Sequence, residues 1–400
     1  MAVTEATVGL TEATLTDIQQ HLVENALDGW LLYDFHGCNP IAGGLLGLPP
    51  LSRRYFVFIP ARGVPVALTH VIEQGPWEGW IGENHGYLSW QSLEAGIDSI
   101  LPPGSRIALE HSEGNAVPYL DRIPGGMLDL IRRRRIEIVS SGDLVSAFYS
   151  RWGEDGFNSH SRAAVVLRDV ARDAFDAIGG SLRAGRHPTE WEVRQFVVGE
   201  LALRGLLEGA DAVVAVNANA ANPHYAPRSD QSTAIGQGDT VLIDLWGKEG
   251  PATIYADQTW MAFVGPEIPP RVQALWSAIR EARDAAVDFV RTRHDRGEAV
   301  AGYEVDDVVR GRIGLSGHGQ AFIHRTGHSI DRGLHGSGPN IDNLETRDSR
   351  TLIPGVGFSI EPGIYYPGEI GLRTEIDVYM GIDGPIVTTP DPQVDLHLIQ

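Results

Sequence analysis

Five residues in the C-terminal half of the chain, Asp244, Asp257, His328, Glu361 and Glu375, are of the types that ligate metal ions, and each lies in a short segment that reads as a strand. Four hard carboxylates and one imidazole suit two divalent cations sharing a water. Thr240-Val241-Leu242-Ile243 leads into Asp244, and Ile254-Tyr255-Ala256 leads into Asp257. An apolar run ending in Asp reads as a buried strand that delivers a carboxylate, and such a group must be paired or bound to metal. The turn Gly247-Lys248-Glu249-Gly250 joins the two runs as a hairpin, which brings both carboxylates together. Taken alone, either Asp reads equally well as an ordinary strand-end carboxylate.

The segment His324-Arg325-Thr326-Gly327-His328 is followed by His335. His324 and His328 have the spacing of a helical zinc pair. No Glu follows His324, however, and Gly327, Gly333 and Gly336 argue against a continuous helix. A lone His in a glycine-rich stretch is more often structural than a ligand; three so close together shift that balance. Glu361 lies in Ile360-Glu361-Pro362-Gly363 and Glu375 in Thr374-Glu375-Ile376, with a turn at Pro367-Gly368 between them. A hairpin there holds both glutamates at one level. Each alone reads as a salt-bridged strand residue, but the four segments together make that reading poor.

These residues need a scaffold, and the chain can supply one. It has 400 residues, 42% hydrophobic and 21% charged, which predicts a globular chain of two domains. The net charge of −20 argues against a nucleic-acid or anionic-membrane partner, since both need a basic footprint. Cys38 is the single cysteine, so no intramolecular disulfide forms. The N-terminal stretch lacks a basic start and a long apolar run, and no membrane span is expected, so a cytoplasmic protein is predicted.

Apolar spacing predicts a helix over Ala13–Ala26, then strands at Trp30–Tyr33, Arg54–Ile59 and Val64–Leu68. Further strands are expected at Arg106–Glu110 and Ile136–Val139, with a helix near Pro118–Arg134 between them. This α/β domain ends near residue 150. The second domain, 151–400, opens with helices over Ser161–Leu182 and from Pro188 to about Leu203. β-Rich segments follow over Asp211–Gly265, then helices at Pro270–Arg293 and Glu304–Ile313, then strands from Ala321 to Met380. Helices, strands, helices and strands suggest an internal pseudo-duplication. Trp77, Trp80 and Trp90 read first as core and second as a dimer seam.

The order Asp, Asp, His, Glu, Glu, with the contexts Ile-Asp, Ala-Asp-Gln-Thr, Thr-Gly-His, Ile-Glu-Pro-Gly-Ile-Tyr and Gly-Leu-Arg-Thr-Glu, resembles the pita-bread metallopeptidases. That family includes methionine aminopeptidase, aminopeptidase P, prolidase and the related creatinase. The resemblance covers most of the chain and implies an α/β (α+β) protein. In it, a creatinase-like N-terminal α/β domain precedes a pita-bread domain of pseudo-twofold αβ repeats. It implies that Asp244 serves one metal, that Asp257 and Glu375 bridge, and that His328 and Glu361 bind the other ion. Thr259 resembles the hydroxyl that supports the ligands from behind. His335 and His224 resemble the histidines that contact substrate, and Arg373 and Tyr365 sit where prolyl-specific members keep supporting or substrate contacts. The thirteen-residue step from Asp244 to Asp257, with Leu245-Trp246 after the first Asp, departs from the usual pattern. Gly336 stands where prolidases often carry an acid. Both departures bear on substrate choice more than on metal.

The implied activity is that of a Xaa-Pro dipeptidase with two divalent ions per subunit, Mn2+ first and Co2+ or Zn2+ as alternatives, in a homodimer. His335, Glu361 and His224 are its expected catalytic residues, with Glu361 as proton shuttle. The alternatives are an aminopeptidase P acting on longer peptides, a metal-dependent hydrolase or lyase of a small non-peptide compound, and a metal-free binding module. The complete ligand set disfavours the last.

Overall fold

A computed structural model of the chain describes residues 9–400, so most of the N-terminal stretch read for a secretion signal lies outside the described residues. The chain folds as two compact units, one ending at Tyr149 and one running from Ser150 to Gln400.

The first unit opens with α1 (Glu12–Glu24), where the Thr14 amide donates to the Thr11 hydroxyl at 3.1 Å and so satisfies one of the free amides of a helix start. It continues through β1 (Gly29–Asp34), α2 (Pro40–Leu46), β2 (Tyr55–Pro60), β3 (Val66–His70) and β4 (Glu83–Tyr87). After these come α3 (Trp90–Ile100), β5 (Arg106–Leu109), α4 (Gly125–Arg132), β6 (Glu137–Ser140) and α5 (Gly142–Phe148). The six strands form one mixed sheet in the order β4-β3-β2-β1-β5-β6. Alternation along the central strands feeds two apolar clusters: Trp30, Leu32 and Val57 enter one, and Leu31, Phe56 and Phe58 enter the other.

The helix expected near Pro118–Arg134 is a 3₁₀ turn at Pro118–Leu120 followed by α4, because Pro124-Gly125-Gly126 interrupts it. Trp77 is core and Trp80 packs beside it, whereas Trp90 is 64% exposed at the first turn of α3. Past β5 the fully buried Glu110 carboxyl accepts from Trp30 Nε1 at 2.6 Å, Asn39 Nδ2 at 2.9 Å and Ser141 Oγ at 3.0 Å. Burial outweighs these donors and pushes its pKa up to about 7.

The second unit begins with two helices, α6 (Glu154–Arg183) and α7 (Glu190–Leu203). Thr189 and Glu192 form a reciprocal cap at the start of α7. An antiparallel run of β7 (Glu208–Val216), β8 (Thr240–Lys248) and β9 (Ala256–Val264) follows. A second helix pair, α8 (Pro270–Asp295) and α9 (Gly302–Leu315), precedes β10 (Ser329–Ile330), β11 (Gly357–Ile360), β12 (Gly363–Tyr366), β13 (Ile370–Arg373), β14 (Ile376–Gly381) and β15 (Gly384–Val387). The last strand, β16 (His397–Ile399), runs parallel to β9. Thus a helix pair followed by an antiparallel sheet occurs twice, with α6 and α7 packing on β7–β9 and α8 and α9 sharing a core with β11 and β14.

Strands were expected throughout Ala321–Met380, but residues 331–356 contain none. Buried carboxylates hold that stretch as loops. Asp331 accepts the Gly333 and Ser337 amides at 2.7 and 2.8 Å, Asp342 accepts those of Leu344, Glu345 and Thr346, and Asp348 accepts that of Asn340. Among the described residues no helix is long and apolar enough to cross a membrane.

Candidate metal centre

Strand pairing explains why the two aspartates meet. In the β8–β9 hairpin Asp244 lies opposite Thr259, and Trp246 lies opposite Asp257. Side chains alternate with period two, so all four share one face. On the other face Ile243, Leu245, Trp260 and Ala262 enter the core beneath α6 and α7. The longer step between the aspartates is absorbed in the turn and leaves the face unchanged.

The glutamates meet through a different ladder. The last β11–β14 pair is Ile360 with Ile376, so Glu361 and Glu375 lie one step beyond it, facing each other. Both therefore sit at strand ends rather than within strands, as does His328, immediately before β10. The hairpin between the glutamates is β12–β13, which stands off as its own two-stranded stem. Gly327 is needed beside His328: a Cβ there would overlap the Ser359 carbonyl oxygen, closing the approach that lets the Ser359 amide donate to the His328 carbonyl at 2.9 Å.

The side chains converge. Asp257, His328 and Glu375 are buried, and each offers one ligand atom within 4.8 Å of the others. His328 Nε2 lies 3.4 Å from Asp257 Oδ2 and 3.5 Å from Glu361 Oε1. Its Nδ1 lies 3.1 Å from the Ser329 carbonyl, which fixes the proton there and leaves Nε2 free as a ligand atom. Thr259 Oγ1 is 2.8 Å from Glu375 Oε2 and 3.1 Å from Asp244 Oδ1, and it accepts from Arg373 Nε at 3.0 Å. Arg373 also pairs directly with Asp244. Tyr365 is buried with its hydroxyl 2.8 Å from His324 Nε2. Arg373 and Tyr365, expected among the substrate contacts, are thus turned toward the carboxylate cluster and its neighbours.

His335 and His224 are exposed. The His335 ring meets that of His328 edge-on, with centroids 4.4 Å apart. Burial of part of the ring, together with His328, Arg325 and His224 nearby, lowers its pKa and keeps it neutral.

Electrostatics argue that this cluster is built for cations. Burial, then the charge of Asp244, raises the Asp257 carboxyl well above the ordinary range. Burial, then Asp257 and Glu361, does the same to Glu375, and burial raises Glu361. Burial opposes the charge of Arg373, and Asp244 restores it. Arg373, with Arg325 acting on Glu361, cannot balance this many carboxylates, whereas divalent cations can. The oxygen-rich donor set with one imidazole fits such ions.

Period-two reasoning could have found two further supports. Ser359 shares a face with Glu361 and donates to its Oε1 at 3.2 Å. Asp377 shares a face with Glu375 and accepts the Asp257 amide at 2.9 Å, while its Oδ1 is buried without a partner. Asp306 on α9 has no such local signal: it accepts from the Thr326 amide at 3.0 Å and pairs with Arg310 at 2.6 Å, anchoring the histidine segment.

Residues 162–381 match the model of metallopeptidase family M24. The Xaa-Pro dipeptidase of Lactobacillus delbrueckii subsp. lactis is 34% identical over 215 residues, covering 53% of this chain and 54% of that protein. The chain spans about half the length of the curated relatives it matches. Among solved structures, dipeptidase PepE from Mycobacterium ulcerans superposes with a TM-score of 0.76 at 20% identity, over 98% of this chain and 100% of the other. Prolidase from Thermococcus sibiricus superposes with a TM-score of 0.68 at 22% identity, over 96% and 98%. These likenesses place the second unit in the pita-bread fold. The matched stretch takes in both strands of the aspartate hairpin, the histidine segment and both glutamates, and the chain belongs to metallopeptidase family M24.

Proposed function

We propose that this chain hydrolyses the peptide bond before proline in Xaa-Pro dipeptides. The observation that carries the reading is the buried convergence of Asp257, His328 and Glu375, flanked by Asp244 and Glu361. Relatives named Xaa-Pro dipeptidase support it.

Asp244, Asp257, His328, Glu361 and Glu375 would hold two divalent ions, Mn2+ in the native protein. When bound, such ions lower the pKa of a water and polarise a carbonyl. The remaining work falls to the chain's own groups. Glu361, whose carboxyl holds a proton more readily than usual, takes the proton of the attacking water and returns it to the proline nitrogen. That nitrogen is a tertiary amide before cleavage and leaves only when protonated. His335, held neutral, and His224 donate hydrogen bonds to the carbonyl oxygen as it gains charge. Thr259 and Arg373 hold Asp244 and Glu375 in place from behind.

The C-terminal carboxylate of a dipeptide needs a cation. Arg373 is engaged with Asp244 and Arg325 is buried, so Arg332, half-exposed in the turn before His335, takes this role. Its backbone is fixed, because Lys248 Nζ donates to the Arg332 carbonyl at 2.7 Å. A homodimeric, cytoplasmic enzyme completes the reading.

The test is hydrolysis of Ala-Pro and Ala-Pro-Ala by manganese-loaded protein, with Asp257→Asn as the inactive control. Cleavage of Ala-Pro alone is the expected result. Cleavage of the tripeptide alone would replace the dipeptidase with an aminopeptidase, and no cleavage of either would point to a non-peptide substrate.

A further inference from the structure

His224 stands on a loop that one buried carboxylate ties down from a distance. Residues 217–233 contain only a 3₁₀ turn at Asn219–Ala221 and an isolated bridge between Arg228 and Gln231. A loop with so little regular structure presents a ring in many orientations unless its backbone is anchored. The anchors converge on Glu190, at the first turn of α7 and fully buried. Its Oε1 accepts from the Val216 amide at 2.8 Å and from Asn219 Nδ2 at 2.9 Å. Its Oε2 accepts from the Thr233 amide at 2.8 Å and from the hydroxyl of Tyr225, the neighbour of His224, at 2.6 Å. The Glu190 amide in turn donates to the Thr233 carbonyl at 3.0 Å. One side chain therefore holds both ends and the middle of the loop.

These donors are all neutral, although a buried carboxylate is costly without a cation. Such a group persists where the donors it gathers are worth gathering. The loop also packs closely on the stem that carries Arg373, since a Cβ on Gly371 would overlap the Ala220 carbonyl oxygen. Glu190 takes no part in the proposed proton transfers and touches none of the metal-type ligands. We infer that Glu190 is a positioning residue that fixes this loop so that His224 meets the substrate carbonyl. The inference rests on the substrate role proposed for His224.

Glu190→Gln is the direct test. However the new amide turns, its NH2 faces two donors. Tyr225→Phe is a milder second variant, since it removes one donor and leaves the carboxylate. Kinetics on Ala-Pro with manganese-loaded wild type, E190Q, Y225F, H224A and E190Q/H224A are compared with hydrogen exchange over residues 216–233. E190Q is expected to lower kcat/KM about tenfold or more, because His224 then no longer meets the oxygen that gains charge and the lost contact acts in the transition state. Metal content should be unchanged. Y225F should lower kcat/KM by less, and E190Q should add nothing once His224 is gone. Exchange in E190Q should accelerate within 216–233 and not in β8 or β9. An E190Q penalty of equal size with and without His224, or unchanged exchange across the loop, overturns the inference. If wild-type protein cleaves no Xaa-Pro peptide, the hydrolytic reading fails by itself. Exchange then decides the clamp alone, acceleration upholding it and its absence refuting it.

Discussion

Glu110→Gln removes a proton that folding forces the first unit to hold. The Glu110 carboxyl is 0% exposed, and burial moves its ionisation from about 4.5 to about 7. At ~1.4 kcal/mol for each tenfold change in proton affinity, that displacement corresponds to about 3 kcal/mol. Because folding raises the affinity for the proton, the folded state holds it where the unfolded chain has released it. The contribution is fully present below the unfolded value, falls as pH rises through the interval, and levels off above about 7. Glutamine cannot titrate, so the difference between the two proteins isolates this residue from every other carboxyl. Urea unfolding should show wild type losing roughly 2–3 kcal/mol more than E110Q between about pH 5 and pH 8. The expected sign opposes the usual gain in stability as carboxylates ionise. Parallel curves would refute the reasoning, and so would a steeper loss in the variant. Either would mean that Trp30, Asn39 and Ser141, rather than burial, set the charge of this carboxyl.

Three further outcomes are expected. Chelation should lower the melting temperature of the second unit, and returning Mn2+ at about a hundred times its dissociation constant should restore about 3 kcal/mol, read by calorimetry. Thr259→Val leaves Arg373 Nε and Glu375 without their shared partner; metal affinity should fall about 10–100-fold, measured by competition with a chromogenic chelator. Arg332→Met should raise KM for Ala-Pro about tenfold and leave that for the C-terminal amide Ala-Pro-NH2 unchanged, since only the acid carries the charge that the guanidinium would meet.

Residues whose environment is written in their immediate neighbours were legible in the sequence. Asp244 and Asp257 announce themselves because each ends an apolar run, and the spacing and turn between them imply a hairpin. Thr189 and Glu192 mark the start of α7 for the same local reason. Strand β4 went unread because four of its five residues are exposed and carry no apolar alternation. Helix α3 was missed behind Trp90, which lies on its solvent side. Glu190, Asp306 and Lys248 were invisible for a different reason. Their partners lie far away in the chain, at Thr233, Thr326 and Arg332, and nothing beside them distinguishes a buried anchor from a surface charge. The register that sets Glu361 against Glu375 belongs to β11 and β14, whereas the intervening turn at Pro367-Gly368 suggested that one hairpin carried both.

That last arrangement separates distance along the chain from distance in space. The β12–β13 stem leaves the sheet after Glu361 and returns just before Glu375, and its tip at Pro367-Gly368 is exposed. Residues added at the tip would lengthen the interval between the two glutamates while the β11–β14 ladder kept them face to face. The stem is therefore a place where this scaffold can accept new sequence, whether by drift or by design, without redrawing its carboxylate pair. A search that demanded a fixed count between the two glutamates would overlook proteins with the same centre.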